Sequence, residues 1–371
     1  MAEIETSPEA IGDTYLLSHD DMRSVIAGSG GSMSFIEQLS QEIQSMYVGK
    51  ELHTIDRVGF ADGYDTTEVM AAAGDDYSVV KHIGSHPNAQ PVVNGNLVLQ
   101  RVGRPGVALI ANAAFLTAVR TAVTSAMVLN KVNPEAETML VIGAGEQGLE
   151  HACAAEVLIP GLRRVIFRDI DEKVAGRAVE KFDYVTGQIS RKRGVNSTHI
   201  ESVSSNDSSS EEKADIIVTA TYGMEEVLTP ERLKSGVVIA AVGADMVGKR
   251  ELSDDIYSRA KFVTDELRQS LREGELQHAA GQLGISHKEK EKAGYHGKLL
   301  GGRVIGITEL LESIGTFRER PETITVYDST GFAGQDLAIG RLIVKLLEEQ
   351  SWPKTQFHPP RPVTLTSLLG R

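Results

Sequence analysis

The chain has 371 residues, which is enough for two domains with hydrophobic cores of their own. Its formal net charge of −13 disfavours nucleic acid as a partner, because phosphate repulsion would act everywhere outside a local basic patch. The single cysteine, Cys153, cannot form an internal disulfide, and we find no apolar run near twenty residues and no signal-peptide pattern. We therefore expect a cytoplasmic protein with no membrane partner.

The first third of the chain predicts an α+β domain. After thirteen acidic, turn-rich residues, TYLL predicts a strand, and Ser18 with Asp21 predicts a capped helix. A second amphipathic helix is expected from about Phe35 to Val48. Alternating or apolar segments then predict a mostly antiparallel sheet, with strands near Arg57–Phe60, Thr67–Ala71, Ser78–Ile83, Asn96–Val102 and Val107–Ala111.

The middle of the chain predicts a doubly wound parallel sheet. An apolar helix from Ala113 to Lys131 ends before Asn133-Pro134, and strands then alternate with helices. The predicted strands are Met139–Ala144, Val165–Asp169, Asp215–Ala220, Val237–Val242 and Lys261–Thr264, with a further one near Thr198–Val203. Ser202–Lys213 is interpreted as a low-complexity surface loop, and His287–Lys298 as a charged excursion. A last strand, turn and long helix follow from TITVYDSTGF onward.

A glycine-rich turn indicates the cofactor. MLVIGAGEQG at Met139–Gly148 places Gly143, Gly145 and Gly148 in the pattern GxGxxG after a strand and before a helix, and Asp169 ends the next strand 21 residues after Gly148. This is the pattern of a dinucleotide-binding βαβ unit, in which the helix N-terminus binds the pyrophosphate and the acid binds the ribose. The turn residues Ala144, Glu146 and Gln147 are further candidate cofactor contacts. We expect NAD in preference to NADP, although Arg168 weakens that expectation.

Three cations lie among apolar neighbours. Arg57, Lys81 and Arg120 must each meet an anion if they are buried, because an uncompensated buried charge is costly. Either a ligand carboxylate or an internal salt bridge would serve. Asp245 follows a predicted strand and Gly243, so it is either a ligand-facing acid at the carboxyl edge of the sheet or an ordinary turn residue. We predict no metal site.

Five stretches together resemble the ornithine cyclodeaminase/mu-crystallin family over nearly the whole chain. They are LTAVRTAVTSAM around Arg120, GAGEQG, VGADMVGKREL at Val242–Leu252, REGELQ at Arg272–Gln277, and VYDSTGF at Val326–Phe332. The resemblance implies NAD(H) or NADP(H) binding, a small amino acid substrate and commonly a homodimer. It also implies a Rossmann domain, expected at 120–320, and a substrate-binding and dimerisation domain, expected at 1–119 and completed by 321–371.

The resemblance also implies roles for individual residues. Arg57, Lys81 and Arg120 match the cations that clamp the substrate α-carboxylate, which suits the bidentate fork of arginine. Asp245 matches the aspartate that handles protons, and Lys81 and Glu68 are counted with it as catalytic. The remaining matches are to cofactor-proximal positions: Lys249, Thr121, Thr219 and Ser329.

Glu68 distinguishes the possible activities. Ornithine and lysine cyclodeaminases carry a glutamate here in a Glu-x-Met-Pro motif, in which the proline is replaced by Ala71 in this chain. A second carboxylate would orient a substrate with a distal ammonium group, but a surface glutamate on an edge strand is an open alternative. We expect NAD-dependent, redox-neutral cyclodeamination of a basic amino acid, L-ornithine to L-proline and ammonia. The alternatives are an NAD(P)-dependent amino acid dehydrogenase or imine (ketimine) reductase, and a dinucleotide-binding protein without enzymatic activity.

Overall fold

The computed structural model describes residues 14–49, 52–62, 65–86, 89, 92–104, 106–194, 197–222, 224–292, 297–313 and 322–355. The first thirteen residues and residues 293–296 of the predicted charged excursion lie outside these ranges. The chain divides into two compact units. Unit 1 comprises Met1–Ser32, Lys50–Leu116 and Asp336–Arg371, and unit 2 comprises Met33–Gly49 and Thr117–Gln335.

In its described residues, unit 1 is built on a six-stranded sheet. The strands are β1 Tyr15–Leu17, β2 His53–Asp62, β3 Asp65–Ala73, β4 Tyr77–Ser85, β5 Val93–Arg101 and β6 Val107–Asn112, in the order β1-β6-β5-β4-β3-β2. Among the described strands of this sheet, only β1 pairs in parallel, with β6. The mostly antiparallel sheet expected from the sequence is therefore confirmed. Helix α1, His19–Gly28, begins with the predicted capping box of Ser18 and Asp21.

Strand β2 contains a bulge opposite Met70. The register shifts between Ile55 and Val58, which pair with Ala71 and Val69, so that two consecutive residues, Asp56 and Arg57, oppose the single residue Met70. Met70 in turn pairs with Lys81 on β4. The face that carries Met70 and Lys81 is buried. The opposite face, which we call the outer face, exposes large apolar side chains: Ile55, Val58, Phe60 and Val80.

In its described residues, unit 2 is built on a nine-stranded sheet. The strands are β7 Thr138–Ile142, β8 Arg164–Arg168, β9 His199–Val203, β10 Ile216–Thr219, β11 Val238–Ala241, β12 Lys261–Thr264, β13 Lys298–Leu299, β14 Val304–Gly306 and β15 Thr325–Asp328. Their order is β13-β14-β12-β15-β11-β10-β7-β8-β9, and among these described strands only β13 runs antiparallel to its neighbour. Apart from Thr138 and Thr219, the central strands β7, β10 and β11 are buried and apolar, as is typical of a parallel sheet covered on both faces. The predicted doubly wound sheet is confirmed.

The remaining helices are α2 Ser32–Val48, α3 Ala113–Val132, α4 Glu146–Leu158, α5 Glu172–Arg193, α6 Ser209–Lys213, α7 Asp254–Arg259, α8 Leu267–Glu273, α9 Leu276–Gln282, α10 His287–Lys292, α11 Ile307–Glu312 and α12 Ala333–Glu349. The interpretation of Ser202–Lys213 as a surface loop is wrong at both ends, because Ser202 and Val203 lie in β9 and Ser209–Lys213 forms α6. Ser210 and Glu211 are buried in α6, and Glu211 accepts a hydrogen bond from Arg168.

Helix α3 is a core helix. Among the described helices it is the one whose length and composition would allow a membrane span, and the sequence analysis did not identify it as such a run. In the folded chain, 78% of its most apolar window is buried inside the protein. Burial within the fold accounts for its apolar character without a membrane.

Candidate functional site

The glycine-rich turn joins β7 to α4 in unit 2. Gly143 has φ of +91°, a backbone conformation that favours glycine, and a Cβ there would collide with the carbonyl oxygen of Ala220. A Cβ at Gly148 would collide with the carbonyl oxygen of Gly143, so the helix starts close against the strand. At Gly145, the N-cap of α4, a Cβ would meet no atom within 4 Å, and no side chain caps the helix. The helix N-terminus is thus open in the way that a pyrophosphate requires.

Asp169 lies beside this turn. It follows β8, and its Oδ2 accepts a hydrogen bond from the backbone N–H of Ala144 at 2.8 Å. Its Oδ1 accepts another from the N–H of Asp171 at 3.0 Å. The carboxylate is therefore held at the turn, where the sequence analysis expected it to bind a ribose. Glu146 and Gln147 form the first turn of α4, and Glu146 is exposed.

Arg168 is committed to contacts within the protein. Its Nη1 donates hydrogen bonds to Glu211 Oε1 at 2.8 Å and to the carbonyl oxygen of Asp207 at 2.9 Å. The side chains of Arg168 and Glu211 are 7% and 6% exposed. The cation that weakened the expectation of NAD over NADP is thus buried against α6.

Asp245 and Lys249 form an ion pair after β11. Lys249 Nζ lies 2.9 Å from Asp245 Oδ1, and the Asp245 side chain is about half exposed. The same ammonium group lies 4.6 Å from the centre of the Tyr222 ring, which is within the range of a cation–π contact. Tyr222 comes from the segment after β10, the neighbouring strand, and the sequence analysis did not identify it. No local sequence pattern indicated Tyr222, because its partner Lys249 lies 27 residues further along the chain.

The hydroxyl groups of the two predicted threonines are engaged within unit 2. Thr219 is fully buried at the end of β10, and its Oγ1 donates to Glu251 Oε2 at 2.6 Å. Thr121 Oγ1 donates to the carbonyl oxygen of Thr117, one turn earlier in α3. Ser329 directly follows β15, and its backbone N–H donates to the carbonyl oxygen of Ala241 in β11. Any cofactor contact from these threonine hydroxyls would use their remaining lone pairs.

In unit 1, Lys81 and Arg57 each contact a carboxylate. Lys81 Nζ lies 2.9 Å from Asp336 Oδ2, and the two side chains are 1% and 0% exposed. Arg57 Nη1 lies 3.4 Å from Glu68 Oε2. Glu68 precedes Met70 by two residues on β3, so it shares the buried face of the sheet with Lys81. The structure therefore brings Arg57, Glu68 and Lys81 to one face and also gives each cation an internal acidic partner.

Arg120 is buried in α3 of unit 2. It is 3% exposed, and its Nη1 donates to Gln335 Oε1 at 2.6 Å. Gln335 also donates, through Nε2, to the Tyr47 hydroxyl at 2.9 Å. Desolvation raises the pKa of the neighbouring Asp265 carboxyl, and the positive charge of Arg120 acts against that rise. The side-chain carbonyl of Gln335 is thus one of the groups that orient the guanidinium.

Comparison with known proteins gives consistent matches over most of the chain. Alanine dehydrogenase of Archaeoglobus fulgidus is 26% identical over 336 residues, which cover 89% of this chain and 94% of that protein. Ornithine cyclodeaminase of Brucella suis is 28% identical over 289 residues, which cover 76% of this chain and 72% of that protein. Relatives with different activities therefore match at nearly the same identity.

Solved structures share the fold. A lysine cyclodeaminase studied for recognition of L-lysine, L-ornithine and L-2,4-diaminobutyric acid matches with a TM-score of 0.78 and 23% identity, covering 96% of this chain and 100% of that one. An archaeal alanine dehydrogenase dimer with bound NAD matches with a TM-score of 0.74 and 23% identity, covering 94% and 100%. The family model for ornithine cyclodeaminase/mu-crystallin matches residues 33–351. With the glycine turn, Asp169 and Asp245 in place, this chain belongs to the ornithine cyclodeaminase/mu-crystallin family.

Proposed function

We propose that this protein is an NAD-dependent enzyme that converts a basic amino acid to a cyclic imino acid, L-ornithine to L-proline with release of ammonia. The observation that carries the proposal is the position of Glu68 on the same buried face as Lys81, with Arg57 in contact. A carboxylate beside carboxylate-binding cations suits a substrate that has an α-carboxylate at one end and an ammonium group at the other. A neutral amino acid offers nothing for that second carboxylate to bind.

The cofactor is NAD. The open N-terminus of α4 and the collision-free space at Gly145 fit a pyrophosphate, and Asp169 beside Ala144 fits an unphosphorylated ribose. When bound, NAD supplies a reversible acceptor for the hydride of the substrate α-carbon, so that no net oxidation is required.

The residues of the chain act on the two ends of the substrate. Arg57, Lys81 and Arg120 bind the α-carboxylate, and Glu68 orients the distal amine. Asp245, held by Lys249 at 2.9 Å, takes a proton from that amine so that its lone pair can attack the carbon of the α-imine. The new C–N bond closes the ring, and the original α-amino group leaves as ammonia, which gives a cyclic imine. Return of the hydride that left the α-carbon would then convert this imine to proline. Ring closure is favoured because nucleophile and electrophile belong to one bound molecule.

We further propose a homodimer formed through the outer face of unit 1. Phe60 is 76% exposed, and Ile55, Val58 and Val80 extend the apolar surface across β2 and β4. A second copy would remove these side chains from water. The cytoplasm is proposed as the location because the single cysteine favours a reducing compartment.

Product analysis tests the proposed reaction. Purified protein is incubated with L-ornithine and a catalytic amount of NAD⁺, and ammonia, proline and NADH are measured together. We expect ammonia and proline in equal amounts without accumulation of NADH. Stoichiometric NADH from a neutral amino acid, with no proline from ornithine, would overturn the cyclodeaminase proposal.

A second candidate is a net amino acid dehydrogenase or ketimine reductase. Two observations favour it: Ala71 replaces the proline of the cyclodeaminase motif, and Arg57 lies 3.4 Å from the Glu68 carboxylate that the cyclodeaminase proposal requires. The similarity to an alanine dehydrogenase points in the same direction. The measurement of NADH described above distinguishes the two candidates, because a dehydrogenase must produce NADH in step with its product.

A further inference from the structure

Glu251 joins the ends of two adjacent strands in unit 2. Its side chain is fully buried and accepts four hydrogen bonds. Oε1 accepts from the backbone N–H of Thr221 at 2.7 Å and from Thr221 Oγ1 at 2.7 Å. Oε2 accepts from Thr219 Oγ1 at 2.6 Å and from the backbone N–H of Gly243 at 2.8 Å. One carboxylate therefore ties the carboxyl end of β10 to the carboxyl end of β11.

The same contacts close the loop that carries Asp245. The loop begins at Gly243, whose N–H is bound by Glu251, and it returns to Glu251 eight residues later. A Cβ at Gly243 would lie 2.5 Å from Glu251 Oε1, so the glycine makes room for the carboxylate. The backbone N–H of Glu251 is itself fixed, because it donates to Glu275 Oε1 at 2.6 Å. Within this loop, Asp245 is two residues from Gly243.

We propose that Glu251 is a positioning residue. By closing the loop 243–251, it fixes Asp245 relative to the end of β10. This inference rests on the role given to Asp245 in the proposed function. A buried carboxylate is costly unless its lone pairs are satisfied, and here each oxygen receives one backbone N–H and one hydroxyl. The carboxylate thus links residues 219–221 to the loop 243–251, which the contact of Lys249 with the Tyr222 ring joins at a second point. Displacement of a catalytic group by about 1 Å can cost roughly 10² in rate, so the loop geometry matters for turnover.

Glu251→Gln tests the inference at nearly constant volume. Whichever way the amide is oriented, its NH₂ group faces a backbone N–H, of Thr221 or of Gly243, and one end of the link is lost. Asp215→Asn is the matched control. Asp215 also binds two backbone N–H groups, those of Glu137 and Thr138, but it precedes β10 and so lies at the opposite edge of the same sheet. Both substitutions perturb a carboxylate that holds backbone in unit 2.

Three measurements are made on each full-length variant: thermal stability, amide hydrogen exchange at residues 219–221 and 243, and steady-state kinetics on the NAD-linked reaction of the wild type. For Glu251→Gln we expect faster exchange at those amides, a fall in kcat of roughly 10²-fold, and an unchanged KM. The Asp215→Asn control should lose stability while retaining kcat. Thr221→Val removes one hydroxyl donor and keeps the backbone N–H, and it should lower kcat in the same direction by about tenfold.

The outcomes separate the inference from the proposed function. An equal fall in kcat for Asp215→Asn would show that lost stability is the cause and would overturn the inference. Unchanged exchange, or faster exchange with unchanged kcat, would overturn it as well. If Glu251→Gln does not fold, Thr221→Val decides: normal kcat overturns the inference, and a selective fall supports it. Failure of the wild type to make proline would reject the proposed substrate, whereas the exchange data and the kcat of any other NAD-linked reaction would still test Glu251.

Discussion

Arg168 Nη1 donates a hydrogen bond to Glu211 Oε1 at 2.8 Å, and both side chains are buried. Arg168 is adjacent in sequence to Asp169, the residue expected to meet the cofactor ribose, and it would be the nearest candidate to neutralise a 2′-phosphate. Because Arg168 is bound to Glu211 of α6, we expect the negative charge of Asp169 to determine whether NAD or NADP binds more tightly.

We therefore predict tighter binding of NADH than of NADPH. Titration of each reduced cofactor by fluorescence measures the two Kd values. Asp169→Asn removes one charge at nearly constant volume, so the ratio of the two Kd values should move towards unity in that variant. Tighter binding of NADPH by the wild type would show that the assignment of Asp169 is wrong.

Asp245→Asn should abolish most turnover. The substitution preserves the shape of the side chain and removes the base, and a positioned proton-transfer group contributes about 10²–10⁴ in rate. The Kd for NADH serves as the control and should be unchanged. Near-normal turnover of the true substrate by Asp245→Asn would remove Asp245 from the mechanism.

Glu68→Gln should reduce selectivity for a distal ammonium group. The variant removes one charge at constant volume, and hydrogen bonds to charged groups contribute about 1.5–3 kcal/mol. The matched pair of ligands is L-ornithine and L-norvaline, which differ by the terminal amine. We expect the ratio of their kcat/KM values, or of their Kd values as inhibitors, to fall in Glu68→Gln. An unchanged ratio would assign Glu68 to its ion pair with Arg57 alone.

The Lys81–Asp336 pair should respond asymmetrically to single and double substitution. Asp336→Asn removes the acidic partner of a cation that is 1% exposed, and breaking a buried pair from one side costs about 3–5 kcal/mol. Replacing both residues, in Lys81→Met with Asp336→Leu, should recover much of that loss because no charge is then left buried. Urea unfolding of the wild type, Asp336→Asn and the double variant provides the comparison. A loss of stability in the double variant as large as that in Asp336→Asn, or larger, would argue against a buried charge as the cause.

Glu150 should make stability depend on pH. Burial, with a smaller contribution from Glu146, raises the pKa of Glu150 from 4.5 to about 7. At a pH between 4.5 and about 7, Glu150 binds a proton in the folded state but has released it in the unfolded state. The contribution of Glu150 to the free energy of unfolding is therefore fully present below pH 4.5 and is lost as the pH rises towards 7. Glu150→Gln should show a smaller decline over this window. Parallel curves of unfolding midpoint against pH for the two proteins would contradict this assignment.

Local patterns in the sequence predicted most of the fold. Strand β7, the turn at Gly143 and the acid Asp169 all lie between Thr138 and Asp169, and the alternation of strands and helices needs only neighbouring residues. Glu251 and Tyr222 could not be found in this way, because their roles arise from contacts with residues about 30 positions away that only the sheet order brings close. Glu211 was missed for a related reason: a serine-rich, acidic stretch resembles a loop until its buried partner Arg168 is known. The roles of Arg57, Lys81, Arg120 and Asp245 in a substrate site are still predictions.

The bulge lets β2 contain one residue more than its partner strand while each side of the strand keeps its own set of side chains. With one extra residue between Ile55 and Val58, the strand presents Arg57 to the Lys81 side while Ile55, Val58 and Phe60 stay together on the outer face. Deletion of Asp56 would restore strict alternation and leave a single residue opposite Met70. That residue would be Arg57, so the shorter strand would keep Arg57 on the Lys81 side and Ile55, Val58 and Phe60 on the outer face. Homologues can therefore differ by one residue at this point without exchanging the two faces of the strand.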